Sequence, residues 1–150
     1  MSASTLILLL ERAESERDAA AQALQAASTQ AQTARAQRDG LSGYRQEYQQ
    51  RWTQSFAQGT TMSIVDCYQS FGQRLDQAVD TQGHVVNHAD QRQVRARDAL
   101  RQAELRVAAL RQLIARRQAE AAKADERREQ RAADEFAARA HLRRHQHAPV

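Results

Sequence analysis

Apolar and small residues recur along the first third of the chain in alternating steps of four and three. The series runs Leu6, Leu10, Ala13, Arg17, Ala20, Leu24, Ala27, Ala31, Ala34, Arg38, Leu41, Arg45, Tyr48 and Trp52. A 3.5-residue repeat keeps one stripe of a helix facing a partner helix along its whole length, which is the coiled-coil condition. The repeat stops in FAQGTTMSIVD. There Gly59 can take the left-handed conformation after a helix end, Thr60 and Thr61 are weak helix formers, and Ser63 with Asp66 fits a helix-start cap. It resumes on Leu75, Val79, Gln82, Val86, Ala89, Gln93, Ala96, Leu100, Ala103, Val107, Leu110 and Ile114. The pattern predicts a first helix over about 5–57, a loop over about 58–63, a second helix over about 64–144 and a frayed tail over 145–150. A loop that short makes the helices antiparallel neighbours. The expected fold class is therefore all-α, a long antiparallel two-helix coiled-coil hairpin forming a single coiled-coil domain over 1–150.

Folding the hairpin about residue 60 pairs position i with about 120 minus i, which sets Leu6 near Ile114. Everything beyond about residue 118 then lacks a partner, so the C-terminal helix must overhang. The segment AEAAKADERREQRAADEFAARAHLRRHQHAPV suits that place, being highly charged with apolar bulk only at Phe136 and Leu142. With no seam partner the overhang has only its own helical bonds, so it is expected to fray toward Pro149. Glycines complicate the first helix: Gly40 and Gly43 in RDGLSGY are compatible with a turn, which would give three helices in place of two.

Composition narrows the function. The chain has 150 residues, is 41% hydrophobic and only 5% aromatic, and has a single Pro, at position 149. Ala supplies much of the apolar fraction and cannot fill a thick core, so coiled coil is favoured over globule. The net charge of +4 comes from 21 Arg and one Lys against 18 acidic residues, and the basic excess lies in the second half. Acidic residues recur among Arg127, Arg128 and Arg131 at helical spacing, which describes an ion-paired, solvated face. They accompany most of the basic clusters, Arg143 and Arg144 being the clearest exception, so few phosphates could be neutralised along one face and no nucleic-acid partner is expected. A general structural coiled coil, such as a parallel homodimer, and a nucleic-acid-binding basic coiled coil are the rival readings. A hairpin would be a monomer.

No glycine-rich phosphate loop, nucleophile elbow or paired carboxylates in a pocket can be found, and Lys123 sits within a helix, so no enzyme and no cofactor is expected. Asp80, His84 and His88 stand one turn apart, as do His141 and His145 with His147 beyond, but exposed histidines at that spacing are ordinary surface residues and no metal is expected. Cys67 is the only cysteine, which excludes an internal disulfide and suits a reducing cytoplasm. The run TLILLL has no basic residues before it and meets Glu11 and Arg12 immediately after. It is too short for a secretory signal or a membrane span, and a soluble cytoplasmic protein is expected.

Six of the seven aromatic residues fall between Tyr44 and Phe71, four of them in GYRQEYQQRWTQSF. Gln37, Leu41, Tyr44 and Tyr48 form a stripe that shares Leu41 and Tyr48 with the seam and leans away from it. Tyr68, Phe71, Leu75 and Ala78 do the same on the second helix. Apolar residues facing away from the only available core mark a contact surface, and Tyr is favoured in such surfaces. The alternative is that these rings fill a wider gap at the hairpin tip.

The ordered set LSGYRQEYQ, YQSFGQRLDQAV, LRQLIARRQAE and RREQRAADEFAARA, carrying Tyr44, Tyr48, Tyr68, Phe71, Leu75, Leu110, Arg117, Gln130, Asp134, Glu135 and Phe136, resembles the FliJ family. This is the coiled-coil component of the flagellar type III export apparatus. One departure is Leu100, where members carry Trp, and another is the glycine content near the tip. The resemblance implies an antiparallel two-helix coiled coil similar to the rotor stalk of the F-type ATPase. It implies three partners: the hexameric flagellar export ATPase, the cytoplasmic domain of the export-gate membrane protein, and export chaperones. It also implies peripheral association with the inner-membrane export apparatus. Gln37, Leu41, Tyr44, Tyr48, Phe71, Leu75 and Ala78 match the positions that members use on the export gate. By the stalk analogy, Leu6, Leu9, Leu10, Arg127, Arg128 and Arg131 would face the ATPase ring.

Overall fold

A computed structural model describes residues 2–146. Two α-helices account for nearly all of them: α1, Ala3–Ala57, and α2, Met62–Gln146. They pack against each other as an antiparallel coiled-coil hairpin, and α2 overhangs. Each helix start is satisfied locally. The Ser2 hydroxyl accepts the Thr5 amide at 3.2 Å, and the Ser2 carbonyl accepts the Leu6 amide at 3.1 Å, so α1 begins at Ala3 with Ser2 as its N-cap. The last turn of α1 tightens through Gln58 N–H to Ser55 and Gly59 N–H to Phe56, both at 3.3 Å, and Gly59 then reverses the chain with φ of 82°.

The cap of α2 differs from the sequence reading. The Thr61 carbonyl accepts the Val65 amide at 3.1 Å, so the helix starts at Met62, and Ser63 lies within its first turn. At the other end α2 runs through Gln146. Residues 147–150, and with them Pro149, His147 and most of the expected frayed tail, lie outside the described residues. Helix α1 passes unbroken through Gly40 and Gly43, so the third helix that RDGLSGY would allow does not form. The space around both glycines is open, and neither is demanded by packing.

The chain divides into two compact units, Glu14–Glu104 and a second made of Met1–Ala13 with Leu105–Val150. Within the larger unit, Ala31, Ala34, Val86 and Ala89 form one buried cluster, Ala31 being wholly inaccessible. Methyl groups at these positions let the helix backbones approach closely, and the layer has little volume to spare. Polar side chains fix the register around it. Gln82 Nε2 donates to the Ala34 carbonyl at 3.0 Å, Gln93 Nε2 donates to Ser28 Oγ at 3.4 Å, Arg35 pairs with Asp90, and Arg45 pairs with Asp76 at 2.8 Å. Ser28 and Arg45 thus meet residues 93 and 76, where folding about residue 60 calls for about 92 and 75. In the smaller unit, Leu6, Ala13 and Val107 are buried. From Ala115 to Gln146 every residue is exposed except Ala124 and Ala140, which are half-buried.

Two outcomes follow from this packing. Ala31→Leu would force three further carbons into a closed layer and should destabilise the hairpin by about 1–3 kcal/mol, read as a lowered thermal midpoint by circular dichroism; an unchanged midpoint would show the layer to be loose. In hydrogen exchange, amides beyond about Ala121 should exchange far faster than those from Leu75 to Val107, because the overhang has only its own helical bonds to protect it.

Candidate functional site

Near the tip, side chains too large for the alanine seam must stack in layers. The Tyr48 ring meets Tyr68 at 5.4 Å and Phe71 at 4.9 Å between centroids, while Trp52 meets Tyr68 at 4.7 Å and Phe56 at 4.9 Å. Most of these contacts are edge-to-face, the arrangement the aromatic quadrupole favours. Tyr48 is fixed further by its hydroxyl, which donates to the Tyr68 carbonyl across the hairpin at 3.0 Å. Gly72 faces the Tyr48 ring, 3.8 Å from where its own Cβ would stand. Burial pushes the Tyr48 phenol above its ordinary value, and the neighbouring Tyr68, Tyr44 and Cys67 add to the shift.

Tyr44 and Phe71 stand at the edge of this ladder. Their rings lie 6.5 Å apart and nearly perpendicular at 85°, and they stay 47% and 38% exposed. Of the seven residues that sequence reasoning assigned to a partner surface, Tyr44, Tyr48 and Phe71 therefore form one aromatic group. Leu41 is half-buried in the seam, Ala78 is half-buried beside it, and Leu75 is buried in it at 7% exposure. Gln37 is exposed, and its carbonyl accepts the Gln82 amide at 3.2 Å. The two sequence alternatives, outward surface and gap-filling plug, describe different rings: Tyr48, Trp52 and Tyr68 fill the gap, and Tyr44 and Phe71 look out.

The sequence reading passed over two features of the tip. Phe56 is half-exposed and extends the ladder toward the loop, which the steps of four from Tyr48 through Trp52 to Phe56 would have revealed. A hollow of about 390 Å³ also opens alongside Tyr48, Trp52 and Tyr68, bordered by the Arg45–Asp76 pair.

The second set of candidates divides in the same manner. Leu6 is 1% exposed and belongs to the seam, and Leu10 is half-buried. Only Leu9 of the three leucines presents an open side chain, beside the more exposed Ile7 and Leu8, which the sequence reading did not single out. Leu6, Ile7, Ile114 and Arg117 border a shallow hollow of about 160 Å³. Arg127, Arg128 and Arg131 are exposed on the overhang, Arg128 with an ion pair of 3.7 Å to Asp125. Among the described residues no three His, Cys, Asp or Glu side chains gather as a metal site, and no helix is long and apolar enough to cross a membrane.

Residues 1–146 match the family model described as flagellar FliJ protein. No curated protein sequence matches the chain. Among solved structures, that of a Chlamydia trachomatis protein, CT670, described as a YscO homolog superposes with a TM-score of 0.69 at 17% identity, covering 97% of this chain and 94% of that one. At that identity the likeness speaks for the fold.

Tyr48 supplies a measurable link between ring packing and stability. Its phenol is favoured uncharged in the folded state, so its contribution is complete below about pH 10 and is lost as pH rises through the raised folded value. The wild-type thermal midpoint should fall faster between pH 9 and 11 than that of Tyr48→Phe, which has no proton to lose. At neutral pH the same variant should be less stable by about 1 kcal/mol, the net worth of one hydrogen bond. Parallel pH profiles would place the ring outside the tip's packing.

Proposed function

The chain belongs to the flagellar FliJ protein family, and on that premise we propose that it works as a binding component of a type III protein export apparatus. It couples the hexameric export ATPase to the export gate and assists the cycling of export chaperones. On this reading its role is binding and not catalysis: its parts are surfaces presented by helices, and no enclosed site that would exclude water is formed among the described residues.

The observation that carries this reading is the Tyr44–Phe71 pair. Two large rings stay half-exposed while their neighbours Tyr48 and Tyr68 are drawn into the hairpin, and Tyr48 packs on Phe71 from behind. Rings held rigid before contact lose little entropy on binding, which suits them as anchors. The docking surface for the cytoplasmic domain of the gate protein is accordingly Tyr44 and Phe71, with Leu41, Tyr48, Leu75 and Ala78 as their support and Gln37 at the rim. Ring-facing contacts fall to Leu9 with Arg127, Arg128 and Arg131, while Leu6 and Leu10 hold the helix that presents Leu9.

Replacing Tyr44 and Phe71 together by Ala should leave most of the helicity and the thermal midpoint intact, yet weaken binding to the purified gate domain by about 2 kcal/mol or more, roughly thirtyfold. Leu110→Ala, in the seam, should do the reverse, losing about 2–5 kcal/mol of stability while the folded fraction binds normally. Binding by titration calorimetry and melting by circular dichroism separate the two. If the aromatic double variant melted as early as Leu110→Ala and bound normally when cooled, the rings would be packing and the surface would lie elsewhere.

A further inference from the structure

The overhang of α2 carries a second coiled-coil stripe. Asp125, Glu129, Ala132, Phe136, Arg139 and Arg143 follow steps of four, three, four, three and four, so they share one face of the helix. All six are exposed, Phe136 at 75%. A shallow hollow of about 270 Å³ runs along that face between Phe136, Arg139 and Arg143. The charge on the stripe is split, acidic before Ala132 and basic after Phe136. The whole segment follows suit: residues 120–135 carry six acidic and four basic side chains, and residues 136–146 carry three arginines and no acid.

A stripe that changes sign about its own midpoint is complementary to a reversed copy of itself. We propose that the overhangs of two copies of this chain pair antiparallel through this face. Setting Phe136 of one copy against Ala132 of the other places Arg139 opposite Glu129 and Arg143 opposite Asp125. Each pairing occurs twice about a two-fold axis, as a self-complementary interface requires. The large ring meets a methyl at the centre, and the charged layers flank it on both sides. A parallel pairing would put each charge against itself and is repelled. The existing Asp125–Arg128 contact, 3.7 Å long between side chains more than two-thirds exposed, is too weak to hold Asp125 back. Arg127 and Arg131 lie on the opposite side of the helix, so self-pairing leaves them open. With one aromatic layer per copy the association is weak and sensitive to salt.

Sedimentation equilibrium of the full chain at protein concentrations from about 10 to 500 µM tests this. At low ionic strength the average mass should climb toward twice 16.9 kDa, and about 0.5 M salt should return it to the monomer. Phe136→Ala should weaken association at least tenfold, with helicity unchanged because the ring touches no other element. The double variants Arg139→Glu/Arg143→Glu and Asp125→Arg/Glu129→Arg should each remain monomeric, while an equimolar mixture of the two should regain the dimer mass. A wild-type chain that stays monomeric across the range at low salt overturns the proposal. So does dimerisation that survives Phe136→Ala undiminished, or a mixture of the charge variants that does not associate.

Discussion

Everything in this molecule is arranged around how close two helices can come when the residues between them are alanines. At Ala31, Ala34, Val86 and Ala89 the helices meet through methyl and isopropyl groups. Each such side chain removes little apolar surface from water, far less than a Leu or Phe would. Stability must therefore accumulate over many layers, which is why the repeat persists for so long and why a short hairpin of this composition would not hold. A thin seam also discriminates poorly between registers, since one methyl is much like the next. Register falls instead to directional contacts: Gln82 on the Ala34 carbonyl, Gln93 on Ser28, Arg45 on Asp76. A slip by one residue would break all of them together.

The same closeness explains the tip. An aromatic ring does not fit between backbones spaced for methyl groups, so the aromatics gather away from the alanine layers, toward the loop, where the small Gly72 stands against the Tyr48 ring. Once there, they stack across the hairpin, and the gap admits some rings and leaves others half outside. Trp52, Tyr48 and Tyr68 are taken in; Tyr44 and Phe71 remain at the edge. One constraint thus generates both the plug and the outward pair, and the plug stiffens the pair from behind.

Much of this was legible in the sequence because a 3.5-residue repeat is a statement about contact. Each of the fourteen positions in the first series and the twelve in the second is buried or half-buried in the folded chain. The left-handed Gly59 and the single reversal were legible for the same reason, since the repeat has to stop where the partner changes. The start of α2 was not: Ser63 and Thr61 are both plausible caps on chemical grounds, and only the carbonyl of Thr61 finds the Val65 amide. Gly40 and Gly43 left a turn open as an alternative to the expected two helices, and the neighbouring layers hold α1 helical through them. At the site, spacing put Leu75 on the seam and Phe71 off it, as the structure does, but it could not say which of the stripe's rings would be drawn into the hairpin and which would stay open. Spacing gives direction, whereas burial depends on what stands opposite. At the start of α1 spacing did separate them: Leu6 falls on the repeat and is buried, while Ile7 and Leu8 fall off it and are open.

A helix that spends one face on its partner has only the remaining surface for recognition, and here that surface is mostly Arg, Glu and Gln. Apolar side chains outside the seam are few. Val85, Val94 and Leu105 occur singly and need no explanation. The rest gather in three places: beside the tip aromatics, at Ile7 to Leu9 where α1 begins, and at Phe136 and Leu142 on the overhang. These are the places where the seam is widened, begins or has run out, so the apolar atoms are those for which the hairpin has no internal use. Around them the alternation of arginine with carboxylate keeps the surface soluble and makes it a poor match for a uniformly charged partner. The binding role proposed for this chain would therefore rest on shape and apolar contact at these places, with charge setting orientation.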